Sequence, residues 1–500
     1  MRAADTVVLG GGTAGSAVAG LLAEDGESVL LLEAGPDFGR HGAVGWPSDL
    51  LDVSALGYTE TWSYDSADTY PHRTVPFERA RVIGGCSSHN GCAAIWGSRH
   101  DYDGWARFNP GWSTDELLSL FEEAARRMRV RRYDEDEITP FHAAVLAAAP
   151  AAGIPLTDNL NNLDQDLGLA ASPANIVAGQ RWNAAFAYLD PVRDRWNLTI
   201  IDQTTVDRLL IEADRVVGVV AIGPNGPFTV DAGRIVVAAG TYGSPAILLR
   251  SGIGDPDLLR GIQIPPTVPL RGVGANLHDH PSVVLAFAGT DALRETMAAY
   301  QADHWMPEEQ TIAKFRSVHC EDGFDLHLYP VGGPDLGAVD GWAWRIPIAC
   351  MTPRSRGQLS LRSRDPLDVP IIDHGYLSDV DGHDRAVLID GISVARRLAA
   401  QSPLRELLGP ELDPSAAAQT AAALVAFVDA TVGHYYHPVG TCKMGPASDP
   451  SAVVNARGGI HGLTNAFVAD CSIMPTIPRA NTNMPAIVVG ERIGRWLRRG

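Results

Sequence analysis

The sequence predicts an α/β fold in which helices pack on a parallel sheet, accompanied by a second domain with a mixed sheet. Residues 6–9, Thr-Val-Val-Leu, form a β-branched run, and the glycine-rich residues 10–15 and a stretch of small and apolar residues follow. This order is typical of a strand, a tight turn and a helix. A second apolar run, residues 28–32, ends at Glu33 and completes a βαβ unit, which predicts parallel pairing.

The next two segments continue this first domain. Residues 46–112 are rich in Gly, Pro, Trp and Tyr and show little periodicity, so we expect long ordered loops there. Ser113 is expected to begin a helix, because Asp115 and Glu116 lie in its first turn and arginines lie near its end, as the helix dipole favours.

Strand signals resume in the middle of the chain. Residues 197–201 and 216–221 alternate with turn signals and predict a small sheet or meander. Residues 234–240 predict a late strand that returns to the first sheet, and Ser244 and Pro245 are expected to open the helix after it.

From about residue 282 to residue 435 the sequence pattern differs from that of the first domain. It predicts short strands at 325–329 and 358–362 and an amphipathic helix at 384–399. Residues 466–470 again predict a strand, and residues 485–497 predict a closing helix. We therefore assign residues 1–155, 196–281 and 436–500 to a discontinuous first domain, and residues 156–195 and 282–435 to the second.

Composition narrows the class of protein. The 500 residues are 45% hydrophobic and 20% charged, which is typical of a folded globular chain and argues against disorder. The net charge of −19 repels phosphate backbones and anionic lipids, so neither nucleic acid nor a membrane is an expected partner. Six cysteines without a C-x-x-C pair, and no signal peptide, predict a cytoplasmic protein, which we expect to be a monomer or a homodimer.

The glycine-rich segment has the pattern of a dinucleotide site. Gly10, Gly12 and Gly15 let the backbone approach a pyrophosphate, and the N-terminus of the following helix supplies N–H donors and partial positive charge. Glu33 lies where a carboxylate accepts hydrogen bonds from ribose hydroxyls. This pattern predicts a Rossmann-like domain, but the motif alone does not distinguish a domain that binds NAD from one that binds FAD.

Further motifs carry a resemblance that extends over nearly the whole chain. They are RVIGGCSSHN at 81–90, GTYGSPAILLRSGIG at 240–254, HYYHPVGT at 434–441, DCSIMP at 470–475 and NTNMP at 481–485. Together they resemble the glucose–methanol–choline (GMC) family of FAD oxidoreductases, and within it the choline oxidases. The resemblance implies that the first domain binds FAD and the second binds substrate. It also implies oxidation of a primary alcohol to an aldehyde by hydride transfer to flavin N5, with O2 as acceptor giving H2O2.

The resemblance also implies which residues surround the cofactor. His89 stands where choline oxidases bind the flavin methyl group covalently, whereas aryl-alcohol oxidases are similar in this segment and hold FAD without that bond, so both states are open. Val206 is implied to contact the adenine. Asp470 is implied to bind the ribityl or pyrophosphate region, and it is equally suited to cap the turn after it. The implied set is Gly10, Gly12, Thr13, Ala14, Gly15, Glu33, Ala34, Gly84, Gly85, Ser88, His89, Asn90, Val206, Ala239, Gly240, Asp470, Cys471, Asn481 and Met484.

Alcohol oxidation needs a base, because a neutral alcohol is a poor hydride donor until its hydroxyl proton is removed or shared. An imidazole with a pKa of about 6.5 can take that proton near neutrality. The resemblance implies that His437 is this base and that Asn481 binds the substrate oxygen. From the residues alone, His434 is an equal candidate to His437, and Asn483 competes with Asn481.

Six further residues are candidates for the walls of the substrate pocket. For Trp96 core packing is the alternative, and for His327 a structural role. The six are Trp96, Ser282, His327, Tyr329, Tyr435 and Tyr436. The pair His278 and His280 flanks a carboxylate, but no further ligand cluster accompanies it, so we expect no metal.

Two positions depart from the choline oxidases. Choline oxidases carry a glutamate where this chain has Ser282, and a valine where this chain has Tyr435. A quaternary cation without its carboxylate loses most of its anchor, so we expect a primary alcohol other than choline, such as a benzylic, furanic or amino alcohol. The alternatives are a dehydrogenase that uses a quinone or another acceptor, and a hydroxynitrile lyase in which FAD does no redox work.

Overall fold

The computed structural model describes residues 4–54, 57–67, 74–307, 309–335, 337, 338, 341–415, 418 and 420–498. The strands are β1 (Ala4–Leu9), β2 (Val29–Leu32), β3 (Thr61–Ala67), β4 (Thr74–Ala80), β5 (Gly168–Ala171), β6 (Ile176–Val177), β7 (Gln180–Arg181), β8 (Leu198–Ile201), β9 (Thr205–Glu212), β10 (Arg215–Gly223), β11 (Gly226–Val237), β12 (Ile253–Gly254), β13 (Val268–Pro269), β14 (Ser282–Gly289), β15 (Thr311–Phe315), β16 (Leu326–Leu328), β17 (Val331–Pro334), β18 (Trp342–Cys350), β19 (Gln358–Ser360), β20 (Ile371–Asp373), β21 (Leu408–Asp413) and β22 (Ala466–Val468). The α-helices are α1 (Thr13–Glu24), α2 (Ser48–Leu51), α3 (Arg99–Ala106), α4 (Thr114–Arg127), α5 (Pro140–Ala148), α6 (Gly240–Arg250), α7 (Pro256–Gly261), α8 (Asp291–Gln301), α9 (His383–Ala399), α10 (Leu404–Leu407), α11 (Ala421–Thr431) and α12 (Asn483–Arg498).

The first sheet has the order β8-β2-β1-β11-β10-β9, with β22 also paired to β11. Its β1, β2, β8, β11 and β22 pairings are parallel, whereas β9, β10 and β11 form an antiparallel meander. The βαβ unit of the first residues and the late strands at 234–237 and 466–468 therefore join one sheet, as the sequence predicts. The predicted fold class is confirmed.

The second sheet has the order β21-β14-β18-β16-β15-β5, with β17 also paired to β18, and its pairings are antiparallel. Helix α9 covers it, and Gly391 lets the helix approach closely, because a Cβ there would overlap Ile348. Each sheet has its own apolar core of buried side chains. The domain boundaries given above stay a prediction.

Three local predictions from the sequence are wrong. The segment 46–112 is not only loop, because β3 and β4 pair as a hairpin and Ser98 opens α3 with a capping box. Residues 198–201 join the first sheet beside β2 instead of the meander. The Asn197 amide anchors them there by donating to the carbonyls of Ala23 and Glu27, at 3.0 and 2.7 Å.

The third wrong prediction concerns the start of α6, which begins at Gly240 and contains Pro245 inside the helix. Proline has no N–H for the carbonyl four residues before it, which here belongs to Thr241. The Thr441 hydroxyl donates to that carbonyl instead, at 2.6 Å. A tertiary hydrogen bond therefore makes the internal proline tolerable.

Helix α1 is seated tightly on the glycine turn. Gly10 has a φ of 104°, and a Cβ at Gly15 would overlap the Gly10 carbonyl oxygen. On its other side α1 meets α12, where Gly490 faces the backbone of Ala14. None of the helices in the described part of the chain is long and apolar enough to span a lipid bilayer.

Replacing Gly15 by alanine is expected to destabilise the protein by about 3 kcal/mol, because the added methyl group must displace a packed backbone. Gly104 in α3 is the matched control, since nothing lies within 4 Å of its Cβ position. Gly104→Ala is expected to stabilise the helix by about 0.5–1 kcal/mol. Melting temperatures measure both effects, and a Gly15→Ala protein as stable as the wild type would contradict the close approach of α1.

Candidate active site

A cleft of about 420 Å³ begins at the carboxyl ends of β1 and β2, where open α/β sheets bind their ligands. At one end it is bounded by the glycine turn and Glu33. At the other end it is bounded by Tyr329, Tyr435 and His437. The cleft therefore connects a nucleotide-type turn to a chamber that contains a histidine.

Helix α1 starts at the wall of this cleft. Gly12 is its N-cap residue and provides no side-chain cap, and Gly12, Thr13 and Ala14 all line the cleft. The N–H groups in the first turn of a helix lack intrahelical partners and carry partial positive charge. This end of the cleft is therefore suited to an anionic phosphate group.

Glu33 holds the backbone of the turn in place. Its carboxylate accepts hydrogen bonds from the Gly11 and Gly35 N–H groups, at 2.7 and 2.8 Å. Burial raises the pKa of Glu33 to about 7, although these backbone hydrogen bonds oppose the rise. The side chain also lines the cleft, so one residue both fixes the turn and faces the ligand.

Asp470, like Glu33, both holds a backbone turn in place and lines the cleft. One carboxylate oxygen accepts from the Gly240 N–H and the Ser244 hydroxyl, at 2.9 and 2.5 Å, and the other accepts from the Ser472 N–H at 2.8 Å. The residue thus caps the turn Cys471–Ile473 and ties it to the start of α6, while it lines the cleft.

His437 is buried at the far end of the cleft, with 7% of its surface exposed. Its Nδ1 lies 3.1 Å from Nδ1 of His280, and its ring centroid lies 4.3 Å from that of Tyr435. Burial lowers the pKa of His437 well below its usual 6.5, and the neighbouring imidazoles His280 and His327 lower it further. His437 is therefore neutral near pH 7, and its Nε2 is the nitrogen left for the cleft.

Asp279 positions this histidine. Its carboxylate accepts from the backbone N–H groups of His437 and His280, each at 2.8 Å, and from the Tyr376 hydroxyl at 2.9 Å. Burial lowers the pKa of His280 to about 3, so His280 is also neutral. The two neutral rings share one hydrogen bond between their Nδ1 atoms, and whichever ring carries the Nδ1 proton donates it.

Buried polar atoms at the end of the cleft lack partners within the protein. Both side-chain polar atoms of Asn483 and Oδ1 of Asn481 make no hydrogen bond within the described residues. Both residues line the cleft near the start of α12. Because buried polar groups are nearly always satisfied, these atoms indicate a polar ligand.

Tyr329 and Tyr435 form a stacked pair in the wall beside His437, with ring centroids 4.1 Å apart and planes inclined by 16°. The Tyr329 hydroxyl donates to Ser282 at 3.4 Å, and the Ser282 hydroxyl donates to the His434 carbonyl at 3.0 Å. Ser282 therefore supports the wall and brings no charge to it.

Two models of one protein family match this chain, both described as GMC oxidoreductase, over residues 4–282 and 353–490. The chain belongs to the GMC oxidoreductase family. This confirms the resemblance inferred from the sequence motifs and makes the protein an FAD-dependent oxidoreductase that acts on alcohols.

Relatives of this GMC oxidoreductase span nearly its full length. The oxygen-dependent choline dehydrogenase of Pectobacterium carotovorum is 32% identical over 99% of this chain and 94% of its own. The mitochondrial choline dehydrogenase of Mus musculus is 33% identical over 97% of this chain and 88% of its own. The crystal structure of pyridoxine 4-oxidase from Mesorbium loti superposes with a TM-score of 0.88 at 27% identity, over 99% of both chains.

The cleft of this GMC oxidoreductase fits FAD. The uncapped N-terminus of α1 is suited to its pyrophosphate, and the unpartnered Asn483 amide and Asn481 Oδ1 are suited to the polar edge of its isoalloxazine ring. Most of the residues predicted to hold the cofactor or the substrate line the cleft. They are Gly10, Gly12, Thr13, Ala14, Glu33, Ala34, Gly85, His89, Asn90, Val206, Ala239, Gly240, Tyr329, Tyr435, Tyr436, His437, Asp470, Cys471 and Asn481.

The other predicted residues lie behind this wall. Gly84, with a φ of 84°, donates its N–H to the Gly11 carbonyl at 2.7 Å, and the Ser88 hydroxyl donates to the Ile83 carbonyl at 2.9 Å. Gly15 and Met484 are buried in the first core, and Ser282 supports the wall as described above.

Two aromatic candidates also lie behind the wall. Trp96 stacks on Phe121 at 5.1 Å, and the buried His327 stacks on Phe324 at 5.4 Å. The functional assignments of all the predicted residues stay predictions.

Sequence reasoning missed the roles of Asp279 and His280, and it did not select Arg79 or Cys86. His280 was considered only as a possible metal ligand, yet the ligand atoms of Asp279, His280 and His437 lie within 4.8 Å of one another. Arg79 lines the cleft beside Cys86, and although burial opposes the change, Arg79 and His89 lower the pKa of Cys86 to about 6. The spacing of His280 and His437 in the chain contains no signal of their contact.

His437→Ala is expected to leave the protein folded and yellow, and to slow the bleaching of flavin absorbance by an alcohol about 10²–10⁴-fold, because the base is lost. His434→Ala is the comparison, and a much smaller loss is expected since the His434 Nε2 is occupied by the Pro76 carbonyl at 3.1 Å. Anaerobic stopped-flow absorbance measures both rates. Equal losses in the two variants would contradict the choice of His437.

Proposed function

We propose that this GMC oxidoreductase oxidises a primary alcohol to an aldehyde, with His437 as the base and O2 as the electron acceptor, which yields H2O2. The observation that carries the proposal is a neutral, buried imidazole that lines the cleft and is hydrogen-bonded through Nδ1 to His280. A base in this state is ready to accept a proton at Nε2 near pH 7.

Two side chains, those of His437 and Asn481, act on the hydroxyl group of the substrate. Nε2 of His437 takes the hydroxyl proton of the alcohol in the tautomer in which its Nδ1–H donates to Nδ1 of His280. The amide of Asn481 binds the same substrate oxygen and, with His437, orients the carbinol carbon. Bound FAD supplies the hydride-accepting atom, N5. Burial of the whole arrangement excludes bulk water from the base.

The acceptor is the second part of the proposal. Pyridoxine 4-oxidase, which shares 27% of its sequence with this chain, is named as an oxidase, and this supports O2. The likeness to mitochondrial choline dehydrogenase, at 33% identity, favours the alternative, a dehydrogenase that uses a quinone or another acceptor. The two differ only in the step that returns the electrons.

We propose a substrate other than choline, because Ser282 brings no charge to the wall and the stacked pair Tyr329 and Tyr435 narrows the chamber. We place the enzyme in the cytoplasm as a monomer or homodimer. All six cysteines are free, as a reducing compartment maintains them.

Addition of an alcohol panel to the aerobic holoenzyme is expected to consume O2 and release H2O2 in equal amounts, because two electrons pass from each alcohol to each O2. An oxygen electrode and a peroxide assay measure the two quantities. Anaerobic bleaching without aerobic peroxide would overturn O2 as acceptor and leave the dehydrogenase. No bleaching by any alcohol would overturn alcohol oxidation itself.

We also propose that His89 attaches FAD covalently, since it lines the cleft at the end of a turn whose serines are hydrogen-bonded to backbone. Acid precipitation is expected to leave the flavin colour on the protein pellet, and His89→Ala to release it into the supernatant. The spectrum of each fraction is the measurement. Free flavin in the wild-type supernatant would contradict the bond, whatever the activity.

A further inference from the structure

A thiol, an imidazole and a carboxylate meet outside the cleft, where the second sheet contacts α9. Cys350 ends β18, and His383 and Asp384 open α9. Their ligand atoms, Sγ of Cys350, a ring nitrogen of His383 and a carboxylate oxygen of Asp384, all lie within 4.8 Å of one another. Cys350 and Asp384 are fully buried, whereas His383 is partly exposed. The cluster is therefore built into the fold and can be reached from solvent through the imidazole.

Backbone groups hold two of these three side chains in place. The carboxylate oxygens of Asp384 accept from the Arg354 and Ser355 N–H groups, at 2.8 and 3.0 Å. The Thr352 N–H donates to Sγ of Cys350. These acceptor atoms keep further lone pairs, and outer hydrogen bonds of this kind orient the ligands of metal ions.

The buried carboxylate of Asp384 has no cation bonded to it. No lysine or arginine in the described part of the chain forms a salt bridge with it. Arg356 is near enough for the charge of Asp384 to act on its pKa, but its guanidinium donates to two backbone carbonyls, both at 2.8 Å. Arg354 pairs instead with two exposed carboxylates. A buried charge without a counter-ion is costly, so this position favours a bound cation.

A surface pocket of about 430 Å³ opens beside the cluster. It is lined by residues 354–356 and 378–381, and two aspartates are among them. The pocket also includes Arg354 and Ser355, whose N–H groups hold the carboxylate of Asp384. It therefore provides a path by which a cation can enter, and room for water as a further ligand.

The chemistry of the three ligands selects the kind of cation. Thiolate, imidazole and carboxylate are the ligands that zinc takes in proteins, whereas magnesium and calcium prefer oxygen alone. A tetrahedral zinc site places such ligand atoms about 3.4–3.6 Å apart. The observed separations, at most 4.8 Å, reach that spacing by small rotations of the side chains. One thiolate and one carboxylate also balance the charge of a divalent ion, so the filled site adds no net charge to the interior.

We propose that Cys350, His383 and Asp384 bind one zinc-type divalent cation, with water as the fourth ligand. Burial raises the pKa of Cys350 well above its usual value, so the side chain is a thiol until the cation binds, and its proton then passes to solvent. The bound ion joins the end of β18 to the start of α9 and stabilises the second sheet. The alcohol chemistry in the cleft does not use it.

Titration of the chelator-treated holoenzyme with Zn²⁺ tests the site. The wild type is expected to bind one Zn²⁺ per chain more tightly than any other, as measured by equilibrium dialysis and elemental analysis. His383→Ala and Cys350→Ala are each expected to weaken this binding about 100-fold or more, because each removes one of three protein ligands. His383 is partly exposed at the start of a helix, so its replacement leaves the core intact.

Two variants outside the cluster are the matched controls. Cys320→Ala removes a partly exposed thiol, and His304→Ala removes an exposed imidazole. Both are expected to leave the zinc affinity unchanged. Zinc binding of undiminished strength in His383→Ala and Cys350→Ala would show that the ion lies elsewhere and would overturn the proposal. The absence of one-to-one binding in the wild type would overturn it as well.

Two further measurements identify the sulfur ligand and the structural role, and neither depends on turnover. Cd²⁺ is expected to give the ultraviolet charge-transfer band of a cadmium–thiolate bond in the wild type and in Cys320→Ala, but not in Cys350→Ala. Zn²⁺ is expected to raise the melting temperature of the wild type by a few degrees and to leave that of His383→Ala unchanged, because the ion binds only the folded cluster. A cadmium band that persists in Cys350→Ala, or equal shifts in melting temperature, would overturn the proposal.

Discussion

The buried carboxylate of Asp279 holds together the parts of the chain on which the chemistry depends. It accepts hydrogen bonds from the segment after β13, from His437 and from Tyr376, which are far apart in the sequence. Desolvation raises the pKa of Asp279, while these hydrogen bonds favour its charged form. Without that acceptor, three buried donors would lose their partner, and the contact between His280 and His437 would lose its support.

Much of the fold could be predicted from local patterns. The strand, glycine turn and helix at residues 4–24 follow from periodicity, and Ser113 opens α4 as expected, where the structure adds a capping box. The errors have a common physical origin. The hairpin β3–β4, the edge strand β8 and the start of α6 depend on partners distant in sequence, such as the carbonyl of Ala23 or the hydroxyl of Thr441, and composition carries no record of them.

The residues of the candidate site likewise fall into two groups, those that sequence motifs predict and those that only tertiary contacts reveal. His437 and Asn481 were selected because their motifs resemble a known family, and both line the cleft. The role of His280 could not be predicted, since it arises only from a tertiary contact with the His437 ring. From the sequence, His280 is considered only in connection with a metal that is not expected there, whereas the geometry makes His280 the hydrogen-bond partner of His437.

Thr241 makes two hydrogen bonds to the segment that follows His437, and their consequence extends beyond the proline in α6. The Thr441 hydroxyl donates to the Thr241 carbonyl, and the Thr241 hydroxyl donates to the carbonyl of Pro438, at 2.7 Å, directly after His437. The start of α6, which borders the cofactor end of the cleft, is thus bonded to the peptide that carries the imidazole. A displacement of either segment would break these two hydrogen bonds, so the cofactor end of the cleft and the imidazole are held in one fixed spacing.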